Sequence, residues 1–188
     1  MKRRAEQEEA TRQRITESAV ALHEELGPAQ TSVSAIAELA GVRRSTVYRH
    51  FPDDDALFAA CSSHWRASNP PPDLAAWTAI EDPDARTATA LRELYAFYER
   101  TQRMYDSLFR DETLVPSVAK RLADFHAYLR SARDVLLAGR RRPTQRTRAA
   151  VGHALAFATW RSLTQEQRLG REEAATLMCR LVEAASRR

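Results

Sequence analysis

Hydrophobic positions along this chain recur at intervals of three and four, and no stretch alternates as a half-buried strand would. Ile15, Ala19, Leu22 and Leu26 form the first stripe and predict a helix from about Glu9 to Leu26, closed by Gly27-Pro28. Two much shorter apolar periods follow. In the first, Val33, Ile36, Ala37, Leu39 and Ala40 predict a two-turn helix. Thr31 and Ser32 are both able to cap it, and Gly41 ends it because glycine takes left-handed geometry cheaply. In the second, Val42, Val47 and Phe51 point inward and Pro52 stops the helix. Arg44, Ser45, Thr46, Tyr48, Arg49 and His50 are left facing outward. A helix, a glycine turn and a second helix with a basic, hydroxyl-rich outer face fit a DNA major groove.

The remaining pattern is also helical. Asp53-Asp54-Asp55 suits the positive end of a helix dipole and opens a helix to Ser68, with Leu57, Phe58, Cys61 and Trp65 on one side. Ser68-Asn69-Pro70-Pro71-Pro72-Asp73 is the clearest break, since three prolines favour extended geometry. Asp82-Pro83 restarts a helix to about Gln102 that buries Leu91, Leu94, Tyr95 and Tyr98, with a separate short helical piece near Met104 to Phe109. Pro116 begins a long helix with the stripe Val115, Val118, Leu122, Phe125, Leu129, Ala132 and Leu136, which Gly139 ends. Pro143 or Thr144 opens the next, in which Ala150, Ala154 and Ala158 stand four apart and Leu155, Phe157, Trp160 and Leu163 supply bulk. Beyond Gly170, a last helix carries Ala174, Leu177, Met178, Leu181 and Val182. The expectation is an all-α fold of about nine helices.

Composition changes this picture little. The 188 residues are 44% hydrophobic and 29% charged, as in a soluble globular protein, and five glycines argue against a sheet. No apolar run approaches membrane-spanning length and MKRRAEQEEA has no apolar signal region, so a cytoplasmic chain that avoids membranes is expected. Cys61 and Cys179 fit no metal spacing and read as two buried, reduced thiols. The net charge of +4 suggests nucleic acid, but residues 1–68 hold nine Lys and Arg against ten Asp and Glu. The surplus lies in Gly139-Arg140-Arg141-Arg142, read as a solvated loop, and in Arg187-Arg188. DNA binding therefore rests on local charge: Arg43, Arg44 and Arg49, with Lys2, Arg3 and Arg4 in a frayed arm over residues 1–8. No Ser/His/Asp, Cys/His or paired-carboxylate set and no glycine-rich phosphate loop appears, and His64, His126 and His153 fall on different helices. No catalytic residue, metal or cofactor is expected.

Ile36-Ala37, Ala40-Gly41-Val42, Ser45-Thr46-Val47-Tyr48 and His50-Phe51-Pro52, with Arg14-Ile15, Ala19 and Leu26-Gly27 upstream, resemble the N-terminal helix-turn-helix of the TetR family of repressors. The resemblance is specific over about residues 9–68. It implies an arm and DNA-binding domain over 1–52, a connecting helix over 53–68, and an effector-binding and dimerisation domain over 69–188. It implies that Thr31, Ser32, Val33, Arg43, Arg44, Ser45, Thr46, Tyr48, Arg49 and His50 meet DNA, Tyr48 and His50 at the backbone. It also implies a pocket for a small hydrophobic or aromatic effector among the middle helices. Tyr95, Tyr98, Gln102, Tyr105, Phe109, Phe125, His126, Leu129, Phe157 and Trp160 are its candidates. A homodimer through the last two helices would use Ala150, Ala154, Ala158, Met178 and Leu181. The expected function is a repressor released from a near-palindromic operator by its effector. The alternative is a small-molecule-binding dimer without DNA binding. Its support is the acidic Asp54, where the family usually has a phosphate-binding lysine. His23 stands where the family usually has a large apolar residue and reads as structural.

Overall fold

The computed structural model describes residues 2–187; the Lys2 side chain and Arg188, both part of the basic termini expected above, lie outside the described residues, as does Met1. Ten α-helices account for most of the described residues. They are α1 (Lys2–Glu25), α2 (Val33–Leu39), α3 (Arg44–His50), α4 (Asp54–Ser68), α5 (Leu74–Thr78), α6 (Pro83–Asp111), α7 (Pro116–Leu137), α8 (Gln145–Leu155), α9 (Phe157–Arg161) and α10 (Arg171–Ser186). A 3-10 turn at Pro28–Gln30 follows α1, and a π turn at Ser162–Glu166 follows α9. There is no strand among the described residues, and no helix is long and apolar enough to cross a membrane.

The chain packs as two compact units. The first takes the residues up to Pro70 together with Gln102–Ala123; the second takes Pro71–Thr101 and Asp124–Arg188. Helices α6 and α7 each have one end in either unit.

In the first unit, Ile15 and Ala19 of α1, Ile36, Ala37 and Ala40 of the α2 region, Val47 and Phe51 at α3, and Leu57 and Cys61 of α4 form one buried cluster. Burial raises the Cys61 thiol to about 12, so it stays protonated as an apolar filler. Ser32 is the α2 cap, accepting from Ala35 N at 3.1 Å, while the Thr31 hydroxyl turns back to donate to Gly27 O. At the other end of α2, Val42 N bonds Ala37 O and Gly41 N bonds Glu38 O, with Gly41 at φ 65°. These bonds satisfy carbonyls that a helix end leaves open, and only glycine turns the chain this way without strain. Asp53 caps α4 by accepting from Ala56 N at 2.7 Å. His23 is buried and stacked on Phe58 at 4.8 Å, a packing role.

The end of α6 grips the turn after α1. Arg110 Nη2 donates to Leu26 O at 2.9 Å, and Ala29 N donates to the buried Asp111 carboxylate at 2.9 Å. Burial alone would raise Asp111. Arg110, the Ala29 N–H and His23 outweigh it and hold the carboxyl below its usual range.

The second unit is built around α6, whose Leu91, Leu94, Tyr95, Phe97 and Tyr98 are buried with Ala132 and Leu136 of α7, Val151, Ala154 and Leu155 of α8, and Ala174, Met178 and Val182 of α10. Arg86 is buried and donates to Ile80 O, Val135 O and Ala138 O, which closes the carbonyl end of α7. Arg140, expected on a solvated loop, is drawn inward to Thr87 and to Asp84 at 2.9 Å.

Four boundaries differ from the periodicity. Helix α1 starts at Lys2 rather than near Glu9, with an Arg4–Glu8 pair one turn apart on its exposed face. Helix α6 runs unbroken to Asp111. Thr101 is buried with its hydroxyl on Phe97 O, so the polar stretch near Gln102 is no break. Trp77 supplies a short α5 that spacing did not predict. It is fully buried, and its indole N–H donates to Glu93 at 2.7 Å. The helix after Thr144 is interrupted at Ala156, which is extended at ψ 134°. The carbonyls of Ala154 and Leu155, freed by that break, accept from the buried hydroxyls of Tyr95 at 3.0 Å and Tyr98 at 2.6 Å. Each bond satisfies a buried donor and an orphan acceptor together.

Candidate nucleic-acid interface

Helix α3 is held by one inward residue per turn. Val47 and Phe51 are buried, so Arg44, Ser45, Tyr48 and Arg49 are exposed and Thr46 and His50 are half-buried. Arg43, also exposed, occupies the N-cap without a side-chain bond. Arg44 reaches one turn along the helix, where its Nη2 donates to the Tyr48 hydroxyl at 3.1 Å and its guanidinium lies 5.5 Å from the Tyr48 ring. The two side chains thus present a guanidinium and a phenol together.

Arg12 of α1 was not among the predicted site residues. Its Nη1 donates to His50 O at 2.9 Å, and its guanidinium covers the Phe51 ring at 4.4 Å. A cation on the carbonyl end of α3 suits the helix dipole and ties that end of α3 to α1. Only its place on the α1 side facing α3 could have signalled it. His50 Nε2 is buried and has no hydrogen-bond partner.

The acidic triplet is largely used inside the unit. Asp53 caps α4, and Asp55 is paired with Lys120 at 2.9 Å and Arg121 at 3.2 Å. The bond from Lys120, then that from Arg121, lowers the Asp55 carboxyl below its usual range. Asp54 is left exposed. Ser32 is engaged as a cap, and Val33 packs on the core cluster.

Residues 15–61 match the model of "Bacterial regulatory proteins, tetR family". Residues 15–61 thus carry the helix-turn-helix domain of the TetR family. No curated protein matches it in sequence. Its fold is shared with solved TetR structures. A TetR-like transcriptional regulator from Rhodococcus sp. RHA1 has a TM-score of 0.68 at 20% identity, over 92% of this chain and 93% of that one. A TetR family transcription regulator from Marinobacter aquaeolei VT8 has 0.62 at 16%, over 98% of each chain. A tetR-family transcriptional regulator from Streptomyces coelicolor has 0.60 at 22%, over 94% of this chain and 79% of that one. At these identities the likeness is one of fold.

The ten residues expected around an effector are spread over both units. Gln102, Tyr105 and Phe109 lie in the first, where Gln102 bonds Asp106 and Tyr105 meets the edge of Trp65. Tyr95, Tyr98, Phe125, Phe157 and Trp160 lie in the second as buried core, with Phe157 5.2 Å and Trp160 5.8 Å from the Tyr98 ring. Trp160 Nε1 is a buried donor without a partner. An open cleft of about 260 Å³ in the second unit is lined by His126, Leu129, Arg130 and Arg133 of α7 and by Gly152, Leu155 and Ala156. His126 and Leu129 belong to the expected set; Arg130 and Arg133 do not.

Of the residues expected at a dimer face, Ala154 and Met178 are buried within the protomer and Ala150 is half-buried. Ala158 is exposed, as are Leu181 at 48% and, one turn before it on α10, Leu177 at 38%.

Proposed function

We propose that this chain is a TetR-family repressor. It holds a near-palindromic operator as a homodimer and lets go when a small organic effector binds. The observation that carries the DNA half is the outer face of α3, where Arg43, Arg44, Ser45, Tyr48 and Arg49 are exposed on a helix anchored from beneath by Val47 and Phe51. Arginine is the commonest specific reader of guanine, and a hydroxyl beside it suits a phosphate. Two such helices must enter successive major grooves roughly 34–36 Å apart, which requires a second copy of the chain. Leu177 and Leu181 on α10, with Ala158, are the apolar surface available for it. Such a protein works in the compartment that holds the DNA, the cytoplasm.

Release follows if the effector binds the DNA-incompetent dimer better than the competent one; equal affinity for both would shift nothing. A coupling of about 1–3 kcal/mol suffices for a useful response. The test is retardation of genomic DNA fragments on a gel at low salt, followed by footprinting of the retained fragment. A protected site with two-fold symmetry is expected. Failure to retard every fragment sinks the reading in favour of a ligand-binding dimer that does not touch DNA.

A further inference from the structure

The cleft beside the interruption at Ala156 has a charge character that the aromatic core lacks. His126, Arg130 and Arg133 stand at positions i, i+4 and i+7 of α7 and share one face of it. No acidic side chain lines the cleft. Arg133 Nε is buried with no hydrogen-bond partner, and the nearest acid to the same guanidinium is Asp134, outside the lining, 3.5 Å from Nη2. Arg130 is exposed and forms no ion pair among the described residues. The rest of the lining is apolar: Leu129 on the same helix, and Leu155 and Ala156 at the end of α8. Gly152 lines the cleft without a side chain; a Cβ there would stand at ordinary contact distance, 4.0 Å, from Arg133 Cδ.

We propose that this cleft binds a small organic acid, with its carboxylate on Arg130 and Arg133 and its hydrocarbon part against Leu129, Leu155 and Ala156. A guanidinium fork matches a carboxylate in geometry as well as charge, and a buried donor without a partner gains a full hydrogen bond when an anion arrives. The rings around Tyr98 offer less. The hydroxyls of Tyr95 and Tyr98 are already spent on Ala154 O and Leu155 O. The size bounds the ligand, because about 260 Å³ is below the roughly 300–1,000 Å³ of drug-sized sites. The Leu155 carbonyl held by Tyr98 belongs to a residue of the cleft wall, so an occupant presses on the helix interruption itself. The inference rests on the effector-responsive reading above and names the class of effector.

The experiment is isothermal titration calorimetry of the full chain, free of DNA, at neutral pH. The probes are octanoate and phenylacetate, each against its own primary amide. At least one acid is expected to bind about tenfold or more tighter than its amide. Arg133→Gln and Arg130→Gln should each weaken the acid by about tenfold or more and leave the amide unchanged. Gly152→Leu, which adds a side chain to the lining, should abolish binding of both. Arg130→Gln alters an exposed side chain, so its result stands even if Arg133→Gln does not fold. Equal affinities for acid and amide, full acid affinity in both arginine variants, or no acid binding at millimolar concentration would each overturn the proposal. Gel retardation by the same protein preparation reports separately on DNA binding, so loss of one reading is not mistaken for loss of the other.

Discussion

Arg44 and Tyr48 meet across one turn of α3, and that contact decides how their substitutions should behave. Arg44→Ala is expected to weaken operator binding about 10- to 100-fold and to relax specificity at one base pair. Tyr48→Phe removes the hydroxyl proposed to meet the DNA backbone and should weaken all sequences alike. Because each side chain helps to place the other, the double variant should lose less than the sum of the two. Equal losses on operator and random DNA for Arg44→Ala would refute the base-reading role. His23 makes a different prediction. Burial lowers its pKa from 6.5 to about 4, with Asp111 pulling weakly upward. Between those values the unfolded chain takes up a proton that the native state refuses, so stability falls as pH drops through that window. Above it the residue contributes no pH dependence. The loss amounts to about 3 kcal/mol at most. Thermal melts at about pH 5 and about pH 7 should therefore differ, and His23→Leu should shrink the difference. An unchanged pH profile in that variant would assign the acid sensitivity elsewhere.

At the scale of elements, two glycines with positive φ carry unequal burdens. Gly27 lies at φ 90° and ψ 157°, a region almost closed to other residues. A Cβ there would occupy the space of Arg110 Nη2 and fall 2.6 Å from Asp111 Oδ2, the groups that hold the α1 turn to the end of α6. Gly41 lies at φ 65° with nothing within 4 Å of an added Cβ. Gly27→Ala should cost about 2–4 kcal/mol in urea unfolding, and Gly41→Ala about 1 kcal/mol. A reversed order would mean that the Arg110–Asp111 grip contributes little. The interrupted α8–α9 segment teaches a related lesson. Alanines four apart read as one continuous helix, yet Tyr95 and Tyr98 supply the hydroxyls that let the backbone open at Ala156. A spacing pattern within one segment carries no trace of a partner on another.

For the molecule as a whole, Leu177 and Leu181 are large apolar side chains left uncovered one turn apart on the last helix. The double variant Leu177→Arg, Leu181→Arg is expected to be monomeric by light scattering at low micromolar concentration with its helix content unchanged. It should also lose operator affinity by about 100-fold, because the second half-site no longer adds avidity. A dimeric mass for that variant would place the interface on another face.

The sequence alone determined the all-α class, the helix-turn-helix and the outward position of Arg44, Ser45, Tyr48 and Arg49 on α3, while Thr46 and His50, expected outward too, are half-buried. These depend on interactions within a few residues: a period of 3.6, the cap at Ser32, the glycine at position 41 and the stop at Pro52. It also placed His23 and Cys61 inside, since each interrupts or continues a regular apolar stripe, whereas Cys179, expected to be buried as well, is only half-buried. What only the tertiary structure decided are matters of distant pairing. Arg12 secures the end of α3, Asp55 is taken up by Lys120 and Arg121, and Arg140 is drawn off the surface by Asp84 and Thr87. The phenols of Tyr95 and Tyr98 are spent on a broken helix, while guanidinium groups on α7 face an open cleft. An aromatic ring reads the same in sequence whether it lines a cavity or fills a core. Only the neighbours brought to it by folding make it one or the other.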